Sequence, residues 1–336
     1  MIVAVYLPER TPYSMKFCAE NIMQIIEKKY KVGFIVFKSL DKLPIANADV
    51  YWDPRCGGGI APPLKFKITQ KPLLLTVHGM AMFTLPLDTF YFSLKQKIAG
   101  QLKRWKERLK WTLMEKHITQ VITVSHYTKT ELINTVHFPE TKITDVWNGI
   151  DHTKFKPAPK NEKITPYFLT VISYQKKKNF ERLLTAYQQL EEATRPALIA
   201  IVKPYQPTPE IAAIKGLQLI TTPLAEAKII EYYQQAMAVV FVSQHEGFGL
   251  PIVEAMACGT PVITSTTTSC VEIAGDAALL VNPESTTAIK DAMLMLVTNK
   301  TLRQQLAQKG LARAQQFDWE KTADAFYGIL QRIIRV

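Results

Sequence analysis

The chain has 336 residues, of which 47% are hydrophobic and 21% are charged, and its formal net charge is +12. This length accommodates two domains, and the composition is that of a globular protein with no apolar run near the roughly 20 residues that span a bilayer. The positive charge predicts an anionic partner, either a phosphate-bearing ligand or an acidic membrane surface. Nucleic acid ranks last, because the chain has no zinc-ligand cluster, RNA-binding motif or basic low-complexity tail.

The cysteines indicate a compartment. There are four, at positions 18, 56, 258 and 270, and none has the C-x-x-C spacing of a metal or redox site. They are expected to be reduced, buried thiols in a cytoplasmic protein.

The first half of the chain alternates segments typical of strands and helices. They lie at 2–7, 15–29, 32–37, 49–52, 73–77, 121–124 and 143–147. Such alternation predicts an α/β architecture with an open parallel sheet and helices on both faces.

Two features follow predicted strands. Trp52–Gly59 is expected to be a loop, and its three glycines admit either a close-lying ligand or a flexible connection. His78 directly follows Leu73–Val77, so its side chain is expected to point into the crevice where such sheets bind ligands. A lone histidine is more often structural, and position alone does not decide between the two.

Leu94–His117 is predicted to be the most charged helix. Its apolar residues recur every three or four positions and form one stripe, made of Leu94, Ile98, Leu102, Trp105, Leu109 and Leu113. Eight of the remaining positions are basic: Lys95, Lys97, Lys103, Arg104, Lys106, Arg108, Lys110 and Lys116. The pattern fits either a core-packed helix with a solvated face or a helix that docks on an anionic leaflet. Trp111 lies outside the stripe, which favours the leaflet.

The second half repeats the alternation. The segments lie at 167–172, 180–189, 197–202, 217–220, 225–237, 277–281, 284–298 and 302–317. The loop Ser173–Asn179 carries three lysines between a strand and a helix, where cations can hold a diphosphate. A solvated charge run is the alternative.

The most informative stretch is Ser243–Ile263. An apolar strand precedes a glycine loop, and Pro251 suits the first turn of a helix. Backbone N–H groups and a helix start at a sheet's carboxyl edge predict a phosphate site. Glu246 and Glu254 would repel phosphate, so they are better suited to accept hydrogen bonds from sugar or ribose hydroxyl groups. Ordinary solvated glutamates are the alternative.

This stretch also carries a family resemblance. Its letters E-G-F-G-L-P-x-x-E-A-M-A-C-G-T-P-V resemble the E-x7-E signature of the retaining nucleotide-sugar glycosyltransferases of family 4. Two further segments are similar to family patterns, V-S-x-x-S/T at 124–128 and N-G-I-D-x-x-x-F-x-P at 148–157. The resemblance spans most of residues 70–336 and is faint before them.

The resemblance implies the GT-B fold, in which two Rossmann-like, doubly wound parallel-sheet domains face each other across a cleft. The implied parts are an acceptor-side domain over residues 1–157, a donor-binding domain over 158–317, and a closing helix over 318–336 that packs back on the first domain. Pro157–Asn161 is expected to be the linker.

The resemblance also implies roles for individual residues. Lys178, Ser173 and the backbone of Gly247, Phe248, Gly249 and Leu250 would hold the donor diphosphate, and Ser173 stands where many relatives have arginine. Glu254 would hold ribose hydroxyl groups, Glu246 those of the transferred sugar, and Leu224 would lie beside the nucleobase. Glu246 and His78 are the predicted catalytic residues. The chain has no D-x-D motif, so no bound metal and no cofactor besides the nucleotide sugar are expected.

The implied activity is hexosyl transfer with retention to a saccharide or lipid-linked saccharide, in cell-surface polysaccharide or glycolipid assembly. A location in the cytoplasm, peripheral on the inner face of the membrane, fits the basic helix. One alternative is a catalytically altered nucleotide-sugar-binding protein. The other is a nicotinamide-dependent dehydrogenase, which the missing G-x-G-x-x-G disfavours.

Overall fold

The structure is a computed structural model, and it describes residues 1–91, 93–159 and 165–334. The chain divides into two compact units, Met1–Gly149 together with Asp318–Val336, and Ile150–Phe317. Within the described residues, twelve strands form two six-stranded sheets with parallel pairings. The predicted α/β class with two parallel sheets is confirmed. Of the predicted linker Pro157–Asn161, Lys160 and Asn161 lie outside the described residues.

The first unit contains one of the two sheets. Its strands are β1 (Ile2–Tyr6), β2 (Gly33–Phe37), β3 (Val50–Cys56), β4 (Leu73–Val77), β5 (Gln120–Thr123) and β6 (Ile143–Asp145), in the spatial order β2-β1-β3-β4-β5-β6. Its helices are α1 (Tyr13–Tyr30), α2 (Ala81–Thr84), α3 (Leu94–Met114), α4 (His126–Val136) and α12 (Trp319–Ile334). All five residues of β4 are buried, as expected of a central strand covered on both faces.

The last helix, α12, belongs to the core of this unit. Phe326 packs on Trp52 of β3, with 4.5 Å between the ring centroids. At the helix surface, Lys29 donates to Asp324 at 2.7 Å and the rings of Tyr30 and Tyr327 stack. The first unit is therefore built from two segments that are far apart in the sequence.

The second unit contains the other sheet. Its strands are β7 (Tyr167–Ser173), β8 (Ala197–Lys203), β9 (Leu217–Ile220), β10 (Ala238–Phe241), β11 (Val262–Ser265) and β12 (Leu279–Val281), in the order β12-β11-β10-β7-β8-β9. Its helices are α5 (Phe180–Gln188), α6 (Pro209–Ala212), α7 (Glu226–Gln235), α8 (Leu250–Ala257), α9 (Ser269–Ala274), α10 (Thr286–Thr298) and α11 (Lys300–Ala314). The strand order reverses between β7 and β10, and ligands of open α/β sheets bind at such a switch point.

The region predicted as the loop Trp52–Gly59 differs from the prediction. Strand β3 continues to Cys56, because it pairs with β4 as far as Cys56 and Val77 with an irregularity after Asp53. Gly57 and Gly59 are approached by side chains of the same unit: a Cβ on Gly59 would lie 2.5 Å from the Phe83 ring. Trp111 also donates its indole N–H to the Gly59 carbonyl. The segment is thus part of the packed unit and not a flexible connection.

Helix α3 packs with the face opposite to its apolar stripe. All six stripe residues are exposed, from 74% at Leu94 to 43% at Leu113. The buried positions are Gly100, Glu107, Trp111 and Met114, which lie about 180° around the helix at about 100° per residue. The core-packing interpretation of the stripe is therefore wrong. The inference from Trp111 is also wrong, because its side chain is 1% exposed and lies in the core.

Several helix ends differ from their predictions by a few residues. Helix α10 begins at Thr286 because the Ser285 side chain accepts from the N–H of Ala288. Helix α11 begins at Lys300, where Asn299 accepts from the N–H of Leu302. Both are side-chain caps, which satisfy N–H groups that have no partner inside the helix. No helix in the described part of the chain is both long and apolar enough to cross a bilayer.

Candidate functional site

The site is organised around the loop between β10 and α8. Helix α8 begins at Leu250 with Pro251 in its first turn, and Gly249 precedes it with φ +105°, a conformation that favours glycine. The Ser269 hydroxyl donates to the carbonyls of Glu246 at 3.0 Å and Phe248 at 2.9 Å. These bonds hold the loop, so that the backbone N–H groups at the start of α8 lie at the carboxyl edge of the sheet.

Lys178 and Glu246 are brought together although they are 68 positions apart in the chain. Lys178 Nζ lies 2.6 Å from Glu246 Oε1, and their side chains are 14% and 10% exposed. Burial acts to raise the pKa of Glu246, but the charges of Lys178 and Lys177 outweigh it and the net pKa is lowered. Glu246 is therefore an ionised acceptor at neutral pH, paired with the cation predicted to meet the diphosphate.

The lysine loop is held in place by Asn179. This residue is buried in the left-handed region (φ 62°), and its side-chain amide donates to the carbonyls of Val242 at 3.0 Å and Pro283 at 2.7 Å. The N–H of Gln244 donates to the Lys177 carbonyl at 2.7 Å. These bonds join the two loops that carry Lys178 and Glu246. Ser173 is exposed at the end of β7, beside the same loop.

Thr268 is a site neighbour that the sequence analysis missed. Its hydroxyl accepts from the N–H of Glu246 at 3.2 Å. Its backbone has φ 60° and ψ −152°, a region that is almost exclusive to glycine. A β-branched residue there is strained, and such strain is concentrated at functional sites.

Glu254 lies in the second turn of α8 and is bonded by a tyrosine that sequence reasoning also missed. Tyr233 of α7 is fully buried and donates its hydroxyl to Glu254 Oε2 at 2.7 Å. Burial raises the pKa of Glu254 to about 7, while the Tyr233 hydrogen bond acts to lower it and the charge of Glu226 adds to the rise. The sequence does not show that Tyr233 of α7 contacts Glu254 of α8, because the two residues lie on different segments.

The remaining predicted residues, Leu224 and His78, are carried by other segments of the chain. Leu224 is partly buried between β9 and α7. In the first unit, His78 follows β4, and its Nε2 lies 2.9 Å from the Pro54 carbonyl. Burial lowers the pKa of His78 to about 4, against the opposing effect of that hydrogen bond. The imidazole is therefore neutral at pH 7, and with Nε2 donating to Pro54 its Nδ1 is an acceptor.

The described residues contain no group of three or more His, Cys, Asp or Glu side chains that could hold a metal ion. The polar groups of the site are instead one ammonium, two carboxylates and the N–H groups of a helix start. Such a set can bind an anion and, beside it, hydroxyl groups.

Comparison with protein families identifies the chain. A family model described as "Glycosyl transferases group 1" matches residues 151–313, and one described as "Glycosyltransferase Family 4" matches residues 51–154. The chain belongs to the family 4 glycosyltransferases. The family predicted from the E-x7-E stretch is confirmed.

Two curated relatives show how far this family 4 chain aligns. It is 29% identical to O-antigen chain mannosyltransferase B of Escherichia coli over 73% of this chain and 66% of the relative. It is 33% identical to the serotype-specific mannosyltransferase WbdA of the same species over 47% of this chain and 20% of that relative. The alignments thus span slightly less than two thirds of the first relative and a fifth of the second.

Solved structures match over nearly the whole family 4 chain. Sucrose-phosphate synthase from Thermosynechococcus elongatus superposes with a TM-score of 0.78 at 15% identity, covering 100% of this chain and 99% of that one. Anabaena HepE in complex with UDP-glucose has a TM-score of 0.74 at 15% identity, covering 99% and 100%. At this identity the likeness concerns the fold, and it confirms the predicted GT-B fold.

Proposed function

We propose that this chain moves a hexosyl unit from a nucleoside diphosphate sugar to a saccharide or lipid-linked saccharide acceptor, with retention of anomeric configuration. The proposal includes a place in cell-surface polysaccharide or glycolipid assembly. The observation that carries it is the cluster of Lys178, Glu246, Glu254 and the α8 start within one unit. The name of the O-antigen mannosyltransferase and the UDP-glucose complex of HepE support the substrate class.

The chemistry follows from where charge develops. When the bond between the sugar C1 and the diphosphate breaks, the electron pair leaves with the diphosphate. An acceptor hydroxyl then bonds C1, and its proton passes to the departing diphosphate oxygen. The Lys178 ammonium and the N–H groups of Gly247–Leu250 would stabilise the charge that grows on the diphosphate. This role requires Lys178 to turn at least partly from Glu246 toward the phosphate. Glu246 would then accept hydroxyl groups of the transferred sugar.

His78 is proposed to contact the transferred sugar. Because its imidazole is neutral at pH 7, it would act by accepting a hydrogen bond at Nδ1 and not as a cation.

The two alternative functions have less support than glycosyl transfer. The family match opposes a dehydrogenase, and a binding protein that has lost catalysis would be expected to lack His78 or Glu246, both of which are present.

The experiment that tests the function is a donor panel. Purified protein is incubated with sugars linked to each common nucleoside diphosphate, with and without saccharide and lipid-linked acceptors. We expect slow hydrolysis of one donor alone and faster transfer with an acceptor, and NMR of the new linkage should show the anomeric configuration of the donor. An inverted product would contradict retention. Donor binding without hydrolysis or transfer to any acceptor would favour the altered binding protein.

We also propose that α3 docks the protein on an anionic membrane surface, which places it at the cytoplasmic face of the membrane. The stripe Leu94–Leu113 is solvent-exposed along its full length, and Trp105 in its middle is 62% exposed. Contiguous apolar surface of this kind marks an interaction site. A tryptophan is suited to the boundary between headgroups and acyl chains.

Charge decides in favour of a lipid surface over an apolar protein partner. Exposed basic residues flank the stripe, with Arg108 on one side and Lys95, Lys103 and Lys106 on the other, and the exposed Lys116 follows the helix. Each basic residue near an anionic leaflet contributes about 1 kcal/mol. The opposite face of α3 is anchored in the unit by Trp111 and by Glu107, which accepts from the N–H of Ala61 at 3.0 Å. A lipid-linked acceptor would be within the same environment.

A further inference from the structure

We infer that Tyr233 is a positioning residue for the donor: it orients the Glu254 carboxylate toward the ribose hydroxyl groups. The inference rests on the proposed donor site and adds a residue to it. Tyr233 lies outside the E-x7-E stretch, on a different helix from Glu254.

Packing around Tyr233 fixes the orientation of its ring and therefore the position of its hydroxyl group. Its side chain is 0% exposed, and its ring packs edge-to-face on Phe155 with 6.3 Å between the centroids. Its backbone carbonyl accepts from the Thr260 hydroxyl at 2.6 Å, which ties α7 to the segment after α8. The phenol can therefore act as a rigid support.

The bond from Tyr233 limits what Glu254 can do. A glutamate on a helix surface samples several rotamers, and a carboxylate has about four lone-pair directions. The bond from Tyr233 to Oε2 at 2.7 Å restrains the carboxylate, and Oε1 would be the oxygen that accepts from the ribose. Two adjacent ribose hydroxyl groups need an acceptor with a defined orientation, and preorganising that acceptor increases affinity.

The surroundings make this carboxylate sensitive to pH. The other titratable groups that act on the Tyr233–Glu254 pair are Glu226 from α7 and Cys258, which directly follows α8. The charge of Glu226 is partly compensated by Lys154, whose Nζ lies 2.7 Å away. Burial raises the pKa of Glu254 to about 7, and the Tyr233 hydrogen bond opposes that rise.

Donor affinity should depend on pH through the ionisation of Glu254. The ionised carboxylate is the better acceptor, so donor affinity should be full above the pKa of Glu254 and should fall as pH decreases through about 7. Removing the Tyr233 hydroxyl takes away an interaction that favours the ionised form. The loss of affinity should therefore begin at a higher pH in Tyr233→Phe.

The test measures KM for the donor and kcat between about pH 5.5 and 9 for wild type, Tyr233→Phe, Glu254→Gln and the double variant. Tyr232→Phe is the matched control, because it removes a hydroxyl from the same helix at the neighbouring position. We expect Tyr233→Phe to raise the donor KM about five- to tenfold with kcat within about twofold, and to move the pH midpoint upward. Tyr232→Phe should behave as wild type.

The double variant separates positioning from a general structural effect. In the Glu254→Gln background, Tyr233→Phe should not raise the donor KM further, because the carboxylate it orients is gone. An additive effect, or an unchanged KM and pH midpoint in Tyr233→Phe, would overturn the inference. If wild type binds no nucleoside diphosphate sugar, the proposed function fails. If wild type binds and only Glu254→Gln weakens binding, the role of Tyr233 alone fails.

Discussion

At the scale of single residues, Thr268 combines strain with a bond to the site. Its φ of 60° and ψ of −152° cost a β-branched residue about 1–3 kcal/mol. The side chain that causes this strain also accepts the N–H of Glu246 at 3.2 Å. We interpret the strain at Thr268 as a consequence of its hydrogen bond to Glu246, the residue proposed to bind the transferred sugar.

Two substitutions separate the strain from the hydrogen bond. Thr268→Ala and Thr268→Gly both remove the hydroxyl, but only glycine relaxes the backbone. We therefore expect Thr268→Gly to be more stable than Thr268→Ala by about 1–2 kcal/mol, the reverse of the usual order, as measured by urea denaturation. Both variants should turn over more slowly than wild type. Equal stability, or a more stable alanine variant, would contradict the strain.

The residues of the candidate site differ in whether a short sequence pattern indicates them. The strand, the glycine loop and the helix that carry Glu246, Gly249 and Glu254 were predictable, because they lie within one short segment. Lys178 was placed by the resemblance, since charge runs alone are ambiguous. Tyr233 and Thr268 were not predicted, because their bonds to Glu254 and Glu246 join segments about twenty positions apart and carry no pattern of their own.

At the scale of elements, α3 shows the limit of periodicity. The spacing of the stripe predicted an amphipathic helix correctly, but an apolar stripe does not say whether it faces a core or something outside the chain. Packing in three dimensions determines which face is buried. The face opposite to the stripe holds Gly100, against which the Tyr91 ring lies, and Trp111, which donates to the Gly59 carbonyl. In the same way, strand existence was predictable in both halves, whereas the extent of β3 depended on its pairing with β4.

Truncation of the two tryptophans of α3 should therefore change the free energy of unfolding by very different amounts. Trp111→Ala removes a core side chain and is expected to lower the free energy of unfolding by about 3–5 kcal/mol. Trp105→Ala removes an exposed side chain and should change it by less than about 0.5 kcal/mol. Chemical denaturation of the two variants checks this. Comparable losses of stability would mean that the stripe is packed against the protein.

Vesicle flotation tests the proposed docking of α3. Wild type should float with vesicles that contain anionic lipid and less with neutral ones, and Trp105→Ser with Leu109→Ser should lose most of that binding. Leu294→Ser with Met295→Ser is the matched control, because both residues are exposed on α10. Binding that ignores lipid charge would contradict the proposal. A dimer that dissociates in the same variant would assign the stripe to a second copy of the chain.

At the scale of the whole molecule, the two units differ in how they are encoded. The second unit is one continuous segment, whereas the first combines two segments that are far apart in the sequence. The resemblance was strong where the donor-binding signature lies and faint before residue 70. The family models match 51–154 and 151–313, while the first unit also requires α12 from the end of the chain. The proposed donor cluster lies entirely in Ile150–Phe317. Donor recognition can therefore be tested before the acceptor is known.

The most direct measurement is the rate of donor turnover by Glu246→Gln. This substitution keeps the shape of the side chain and leaves an amide oxygen that can accept from the buried Lys178, so the protein should stay folded. Glu231→Gln, an exposed glutamate on α7, is the control. We predict that Glu246→Gln loses at least about 2.7 kcal/mol of transition-state stabilisation, a hundredfold or more in kcat/KM, while Glu231→Gln keeps the wild-type rate. A folded Glu246→Gln protein with a near-normal rate would contradict the assignment of this loop as the donor site.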